Sequence, residues 1–353
     1  MLHQDAPAAQ FARMAGLAFP VLVGDIGGTN ARFALLADAD AEPVPFPTVP
    51  TAGYGSLEDA IEGTVLAAAS VRPRSALLAV AGPVDGDEFA LTNFPWMIRP
   101  KVMIERFGLD EVVILNDFEA QALAAAALGP EHLSKVGGGA ADADASRVVL
   151  GPGTGLGVAG LVRAGPLWVP VAGEGGHVDV GPRTPREYDI FPHIEPIEGR
   201  VSAEQILCGR GLVNLYRAVV ASRGGVPVLV TPPQVTAAAE TGSDADAVEA
   251  LALFVTCLGR VAGDLALIFM SRGGVFITGG IGQKIAWALR EPRFREAFED
   301  KAPHSAHLRQ MPIYVITHPL AAIAGLSAYA RHPDLFAVST RGRHWQRADG
   351  SRE

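Results

Sequence analysis

The stretch Val21-Leu22-Val23-Gly24-Asp25-Ile26-Gly27-Gly28-Thr29-Asn30-Ala31-Arg32-Phe33-Ala34-Leu35-Leu36 sets two apolar runs on either side of a small polar tip. Each run is short, largely aliphatic and flanked by turn formers, which is the pattern of a hairpin and not of a helix. At the tip, Gly27 and Gly28 allow positive φ and let backbone N–H groups approach a ligand, while Thr29 and Asn30 add side-chain donors. Such a tip suits a phosphate. Asp25 beside it would repel phosphate oxygens unless a cation lay between them, and a hydrated magnesium ion is the economical answer. Taken alone, the same tip also reads as a tight turn.

A second stretch changes the balance. Val148-Val149-Leu150-Gly151-Pro152-Gly153-Thr154-Gly155-Leu156-Gly157-Val158-Ala159-Gly160-Leu161-Val162 repeats the order strand, Gly/Thr tip, strand. Two such hairpins, one in each half of the chain, point to a duplicated unit with two phosphate-facing loops across a cleft. Neither matches the commoner nucleotide loops. A dinucleotide fingerprint needs a helix after its glycines, whereas Val158 to Val162 reads as strand; a Walker loop needs Gly-Lys-Ser/Thr, and the chain holds no Gly-Lys pair.

The 353 residues are long for one core, so two domains are expected. Hydrophobic residues make up 49% and charged residues 19%, enough for a large core, and the net charge of -9 argues against a nucleic acid or membrane surface as partner. Cys208 and Cys257 are too few for a disulfide framework or a Cys-rich zinc site, in keeping with a reducing cytoplasm. Met1 to Pro20 lacks the basic and apolar regions of a secretory leader and reads as a flexible extension.

Along the chain, Ala39 to Thr51 reads as a surface excursion and Ser56 to Ala69 as a helix with Leu57, Ile61 and Val65 on one face. Ser75 to Ala81 is a buried-type strand, Leu91 to Trp96 a polar and aromatic loop, and Glu111 to Leu115 a strand that delivers Asn116-Asp117 to the start of a helix ending before Gly129-Pro130. Helices are expected from Ser202 to Val219, with a break at Gly209 to Gly211, and from Ser243 onward, where Arg260 and Asp264 argue against a membrane span. Gly274 to Thr278 is a strand opening into Gly279-Gly280-Ile281-Gly282, with a helix from Gln283. A last strand (Pro312 to Thr317) and helix (Leu320 to Arg331) precede a polar, Arg-rich tail from Ser339 that reads as disordered.

These motifs, in this order, resemble those of the bacterial glucokinases of the hexokinase and actin-like ATPase superfamily. Asp25 to Arg32 looks like the family's first phosphate motif, Gly151 to Gly157 its second, and Gly279-Gly280-Ile281 its adenosine motif. Leu115 to Phe118, Gly173 to His177 and Val201 to Glu204 look like its sugar-contacting segments. No cysteine lies between His177 and Cys208, which favours the zinc-free branch over the related repressor, ORF and kinase family. Leu207 to Gly211 departs from the family's usual Ser-Gly-Pro-Gly.

The resemblance implies an α/β, two-domain, actin-like ATPase (ribonuclease H-like) fold with a cleft between a small and a large domain. A small domain would run from 20 to 128, completed by a helix at about 319–332, and a large one from 129 to 318, with an extension at 1–19 and a tail at 339–353. It implies ATP-dependent phosphorylation of glucose with Mg²⁺, and leaves oligomeric state open, a homodimer included. Phosphoryl transfer asks mainly for positioning and charge stabilisation. Asp25, Gly27, Gly28, Thr29, Asn30, Gly153, Thr154, Gly155, Gly279 and Gly280 would then hold the nucleotide, Asp25 reaching the metal through water. Asn93, Asn116, Asp117, Glu174, His177 and Glu204 would hold the sugar, with Asp117 as general base. The competing readings are a helix N-cap for Asp117, a loop histidine or metal ligand for His177, and a first-turn helix acid for Glu204. A kinase for mannose, fructose or an amino sugar is the nearest alternative, and a sugar-sensing regulator a more distant one.

Overall fold

The computed structural model describes residues 16–82, 84–91 and 94–348. The chain divides into two compact units, 1–128 with 163–171 and 319–353, and 129–162 with 172–318.

In the first unit the opening stretch forms the expected hairpin, β1 (Val21–Ile26) and β2 (Asn30–Leu36), paired antiparallel with Asp25 opposite Arg32. Short strands β3 (Val44–Pro45) and β4 (Val49–Pro50) extend β2, so the segment expected as a surface excursion is partly sheet. β5 (Ser75–Val80) lies parallel to β1. A small separate hairpin, β6 (Phe89–Leu91) and β7 (Phe94–Ile98), replaces the expected loop. β8 (Glu111–Asn116) lies parallel to β5.

These central strands read as unbroken apolar runs because both faces are covered. Leu22, Leu78, Val112 and Ile114 face one core with Leu57, Ile61 and Met103. Their neighbours Val23, Leu77, Val113 and Leu115 face the other, against helices Asp117–Ala127 and Ala321–Arg331. The two helices cross closely: a Cβ on Gly325 would fall 2.2 Å from the carbonyl oxygen of Ala120.

Two terminal segments differ from expectation. Leu17, in the extension, is 5% exposed and packs into the second core, and the Ala18 N–H donates to Glu111 Oε1 at 3.1 Å. The tail supplies a C-terminal strand, His344–Gln346, antiparallel to β8, with Trp345 inserted in the first core.

In the second unit, β9 (Leu133–Gly137), β10 (Arg147–Pro152), β11 (Leu156–Ala164), β12 (Leu167–Gly173), β13 (Gly274–Ile277) and β14 (Ile313–Ile316) form a sheet in the order β12-β11-β10-β13-β14-β9. The outer end of the β11–β12 hairpin groups with the first unit, where Trp168 bridges Phe336. Helix Ala245–Phe269 is long and apolar enough to cross a membrane, yet most of it is buried in the core of this unit. Arg260 on that helix makes a bidentate pair with Glu187, both contacts 2.8 Å.

Candidate active site

In the first unit the strand register decides what meets. Ile26 pairs with Val80 and Val80 with Asn116, so the β1–β2 tip and the Asn116-Asp117 turn leave the same, carboxyl, edge of the sheet. That edge is where open α/β sheets bind ligands. The tip is a closed turn, with Gly27 N–H donating to Asn30 O at 3.0 Å. Thr51, 1% exposed and directly after β4, holds it: its N–H donates to Thr29 O at 3.1 Å and its hydroxyl to Gly28 O at 2.8 Å.

Asp25 lies beneath this tip with Oδ2 3.1 Å from Arg32 Nη1. Burial pushes its carboxyl above the usual range, and the Arg32 guanidinium pulls it only partly back. A carboxylate that burial disfavours in its ionised form is one that a divalent cation would hold charged, and one carboxylate plus phosphates and waters is how Mg²⁺ is usually bound.

At the other end of the same edge the helix N-cap is Asn116, not Asp117. Asn116 Oδ1 accepts the Phe118 N–H at 2.9 Å, and Glu119 Oε2 accepts the Asn116 N–H at 3.0 Å, completing a capping box. Asp117 is therefore the first helical residue, half-buried, its Oδ1 3.0 Å from the Phe118 nitrogen. Asn116 takes the N-cap position, and the Asp117 carboxylate also accepts the Phe118 N–H. Asn93 lies outside the described residues.

The second unit gathers the remaining residues around the β10–β11 loop. At the β10–β11 tip, Gly153 N–H donates to Gly155 O at 2.8 Å, and Gly209 N–H donates to Gly153 O at 3.0 Å. Glu204, in the short helix Ala203–Ile206, reaches back so that Oε2 accepts the Leu156 N–H at 2.9 Å. Gly155 must lack a side chain for this, since its Cβ would sit 2.4 Å from that oxygen.

Glu174 and His177 come to the same place because Gly176 lies flat on the loop, where a Cβ would be 1.9 Å from Leu156 O. His177 Nε2 is 3.7 Å from Glu174 Oε2, and both side chains are open to ligand. Ala203 N–H donates to Val178 O at 2.8 Å, so the segment that carries His177 leads directly to Glu204. Gly279, with φ 85°, packs on the end of β10, its would-be Cβ 2.8 Å from Pro152 O. It starts helix Gly279–Lys284, four residues earlier than expected, while Gly280 borders open space.

The break near Glu204 falls at Leu207-Cys208, where the Cys208 thiol caps helix Gly209–Ala221 by accepting the Gly211 N–H at 3.2 Å. This is how the departing Leu-Cys-Gly-Arg-Gly segment is accommodated. The sequence reading missed Thr51, which is hidden in a Pro-rich stretch, and Arg32, whose pairing with Asp25 follows from hairpin register alone.

Glycine-tipped hairpins at the sheet edges of two α/β units define the actin-like ATPase class, and solved members of that class share this fold. The glucokinase from an Antarctic psychrotroph is 34% identical with a TM-score of 0.79, covering 89% of this chain and 100% of its own. A Streptomyces griseus glucokinase of the ROK family, crystallised with glucose and AMPPNP, is 20% identical with a TM-score of 0.60 over 88% of this chain and 99% of its own, a likeness of fold. The family model for glucokinase matches residues 22–333. The glucokinase of Mesorhizobium japonicum is 63% identical over 330 residues, 94% of this chain and 97% of its own, and that of Rhizobium etli 62% over 333 residues, 94% and 98%. The chain belongs to the glucokinase family.

Proposed function

We infer that the chain transfers the γ-phosphoryl group of ATP to the 6-hydroxyl of glucose, giving glucose 6-phosphate and ADP. In a member of this family, one arrangement carries the reading: Glu174, His177 and Glu204, the side chains proposed to read hydroxyls, are brought against the β10–β11 loop proposed to face phosphate, with Glu204 Oε2 accepting the Leu156 N–H and Gly176 packed on Leu156 O. The carboxylates and the imidazole supply the mixed donors and acceptors that vicinal hydroxyls require. The sugar oxygen attacks the γ-phosphorus, the bond to the bridging oxygen breaks, and ADP leaves. Asp117 takes the hydroxyl proton, and Asn116 orients the same group. The tips at Gly27 to Asn30 and Gly153 to Gly155 cradle the phosphates, and Gly279 and Gly280 let adenosine approach the chain. Mg²⁺, held by Asp25 through water, would neutralise phosphate charge. Cys208 and Cys257 are buried free thiols, in keeping with a cytoplasmic enzyme.

A coupled ADP-release assay over a panel of hexoses, with and without Mg²⁺, tests the reading, with Asp117→Asn run beside the wild type. Glucose is expected to be the best acceptor. The variant should bind glucose by calorimetry yet lose roughly 10²–10⁴-fold in kcat, because an amide cannot take the proton. A variant that keeps more than about a tenth of kcat removes the base assignment, and a better turnover of mannose or fructose changes the substrate.

A further inference from the structure

We propose that Arg343, on the C-terminal segment beyond the 22–333 family match, is a positioning residue for phosphoryl transfer: it holds Glu119 and, through Glu119, the turn that presents Asn116 and Asp117. The proposal rests on the reading of Asp117 as the base.

Glu119 is 4% exposed and is the third residue of the helix that Asp117 begins. Its Oε2 accepts the Asn116 N–H at 3.0 Å. Arg343 closes on the same carboxylate with both ends of its fork, Nη1 on Oε2 and Nη2 on Oε1, the latter at 3.2 Å. Without the guanidinium this buried carboxylate would lose its cation, and a buried charge left uncompensated reorganises its surroundings. Those surroundings are the capping box.

The segment that carries Arg343 is itself fixed. The Ile114 N–H donates to Arg343 O at 3.0 Å, two residues before Asn116 on β8, and the Arg343 N–H donates to Thr340 O at 2.9 Å. Beyond it, His344 pairs with Val113 and Trp345 with Val112, and the Trp345 indole donates to Asp87 Oδ1 at 2.8 Å. Arg347 ends the strap, donating from its backbone to Asp110 O at 2.8 Å and from Nε to Leu109 O at 3.0 Å. The guanidinium thus reaches the base of the catalytic turn from a rigid mount.

Because a misplacement of about 1 Å can cost on the order of 10²-fold in rate, Arg343→Ala and the neutral, polar Arg343→Gln should each lower kcat by roughly tenfold or more. The KM for ATP should stay within about twofold of wild type, since neither glycine tip is touched. Arg343→Lys, which keeps the cation, should recover part of kcat. In a Glu119→Gln background, where there is no carboxylate to hold, Arg343→Gln should cost nothing further. All values are taken per folded molecule at a temperature well below each variant's melting point.

Wild-type kcat in Arg343→Gln overturns the proposal. So does an equal loss in the presence and absence of the Glu119 carboxylate, or a loss that Arg343→Lys does not relieve, since each makes the residue structural. Asp117→Asn separates the two claims. If it stays active, the base reading falls and this inference with it; if it is inactive while Arg343→Gln is normal, only the inference falls.

Discussion

Glu204 has one partner in the fold. From sequence it reads as a first-turn helix acid or a sugar ligand, and its Oε2 proves to be bonded to the Leu156 N–H at the edge of the β10–β11 loop. Glu174 and His177, by contrast, are exposed side chains delivered by the flat Gly175-Gly176 turn. Glu174→Gln and His177→Ala should therefore chiefly raise the KM for glucose. A hydrogen bond involving a charged group is worth about 1.5–3 kcal/mol, or roughly ten- to a hundredfold. Glu204→Ala should raise the KM for both glucose and ATP, because it also frees the loop. Steady-state kinetics with each substrate varied in turn decides this, and an unchanged KM for ATP in Glu204→Ala would refute the link. The glycine motifs were legible, and at Gly155, Gly176 and Gly279 close approach leaves no room for a Cβ; the Glu204 bond to Leu156 was not, because it depends on where a distant loop lands.

Among the elements, the helix Asp117–Ala127 is legible as an Ala-rich run between the Asn116-Asp117 junction and Gly129-Pro130, but its partner is not. What seats it is Gly325 of helix Ala321–Arg331, whose missing Cβ admits the backbone at Ala120 and Ala124. Even Gly325→Ala places a carbon 2.2 Å from Ala120 O, and overpacking of this kind costs about 1–3 kcal/mol. Denaturant unfolding is expected to show that loss, with kcat falling as the Asp117 helix is pushed aside; a variant of wild-type stability would mean the helices are not locked by this contact. The C-terminal strand was illegible for a different reason. His344-Trp345-Gln346 buries one side chain, Trp345, and otherwise pairs through its backbone, so a polar, Arg-rich stretch conceals an edge strand that no apolar alternation announces. The first helical residue after β13 was misplaced for a related reason: Gly279 to Gly282 have the composition of a loop, but their backbone already turns as helix.

At the scale of the molecule, the large net negative charge leaves room for buried pairs that respond to acid. Burial alone would raise the Glu187 carboxyl, but the Arg260 bonds and the Arg183 N–H outweigh it and hold it below its ordinary value of 4.5. A depressed folded-state value means that this stabilisation is complete above the unfolded value and is lost as pH falls through the folded one. Wild-type stability should thus decline below about pH 4.5. Arg260→Leu, which strands the carboxylate, should cost about 3–5 kcal/mol at pH 7 and lose less than wild type on acidification. Equal pH slopes for the two proteins by calorimetry would show that the pair does not contribute. The division into units was partly legible because each carries its own hairpin. The excursion of residues 163–171 into the first unit was not, since the Gly165-Pro166 turn announces a hairpin but not what its outer end packs against. That first unit also needs the far end of the chain: helix Ala321–Arg331 covers one face of its sheet and residues 344–346 close the edge of β8. During synthesis at about 5–20 residues per second, β8 waits roughly 11–46 s after leaving the ribosome's catalytic centre before the strand on its second edge is made. The second unit, complete by residue 318, is free to fold before the unit that was begun first. In that interval the unpaired edge of β8 and the apolar face at Val113 and Leu115, with helix Ala321–Arg331 not yet made, are what a chaperone would meet.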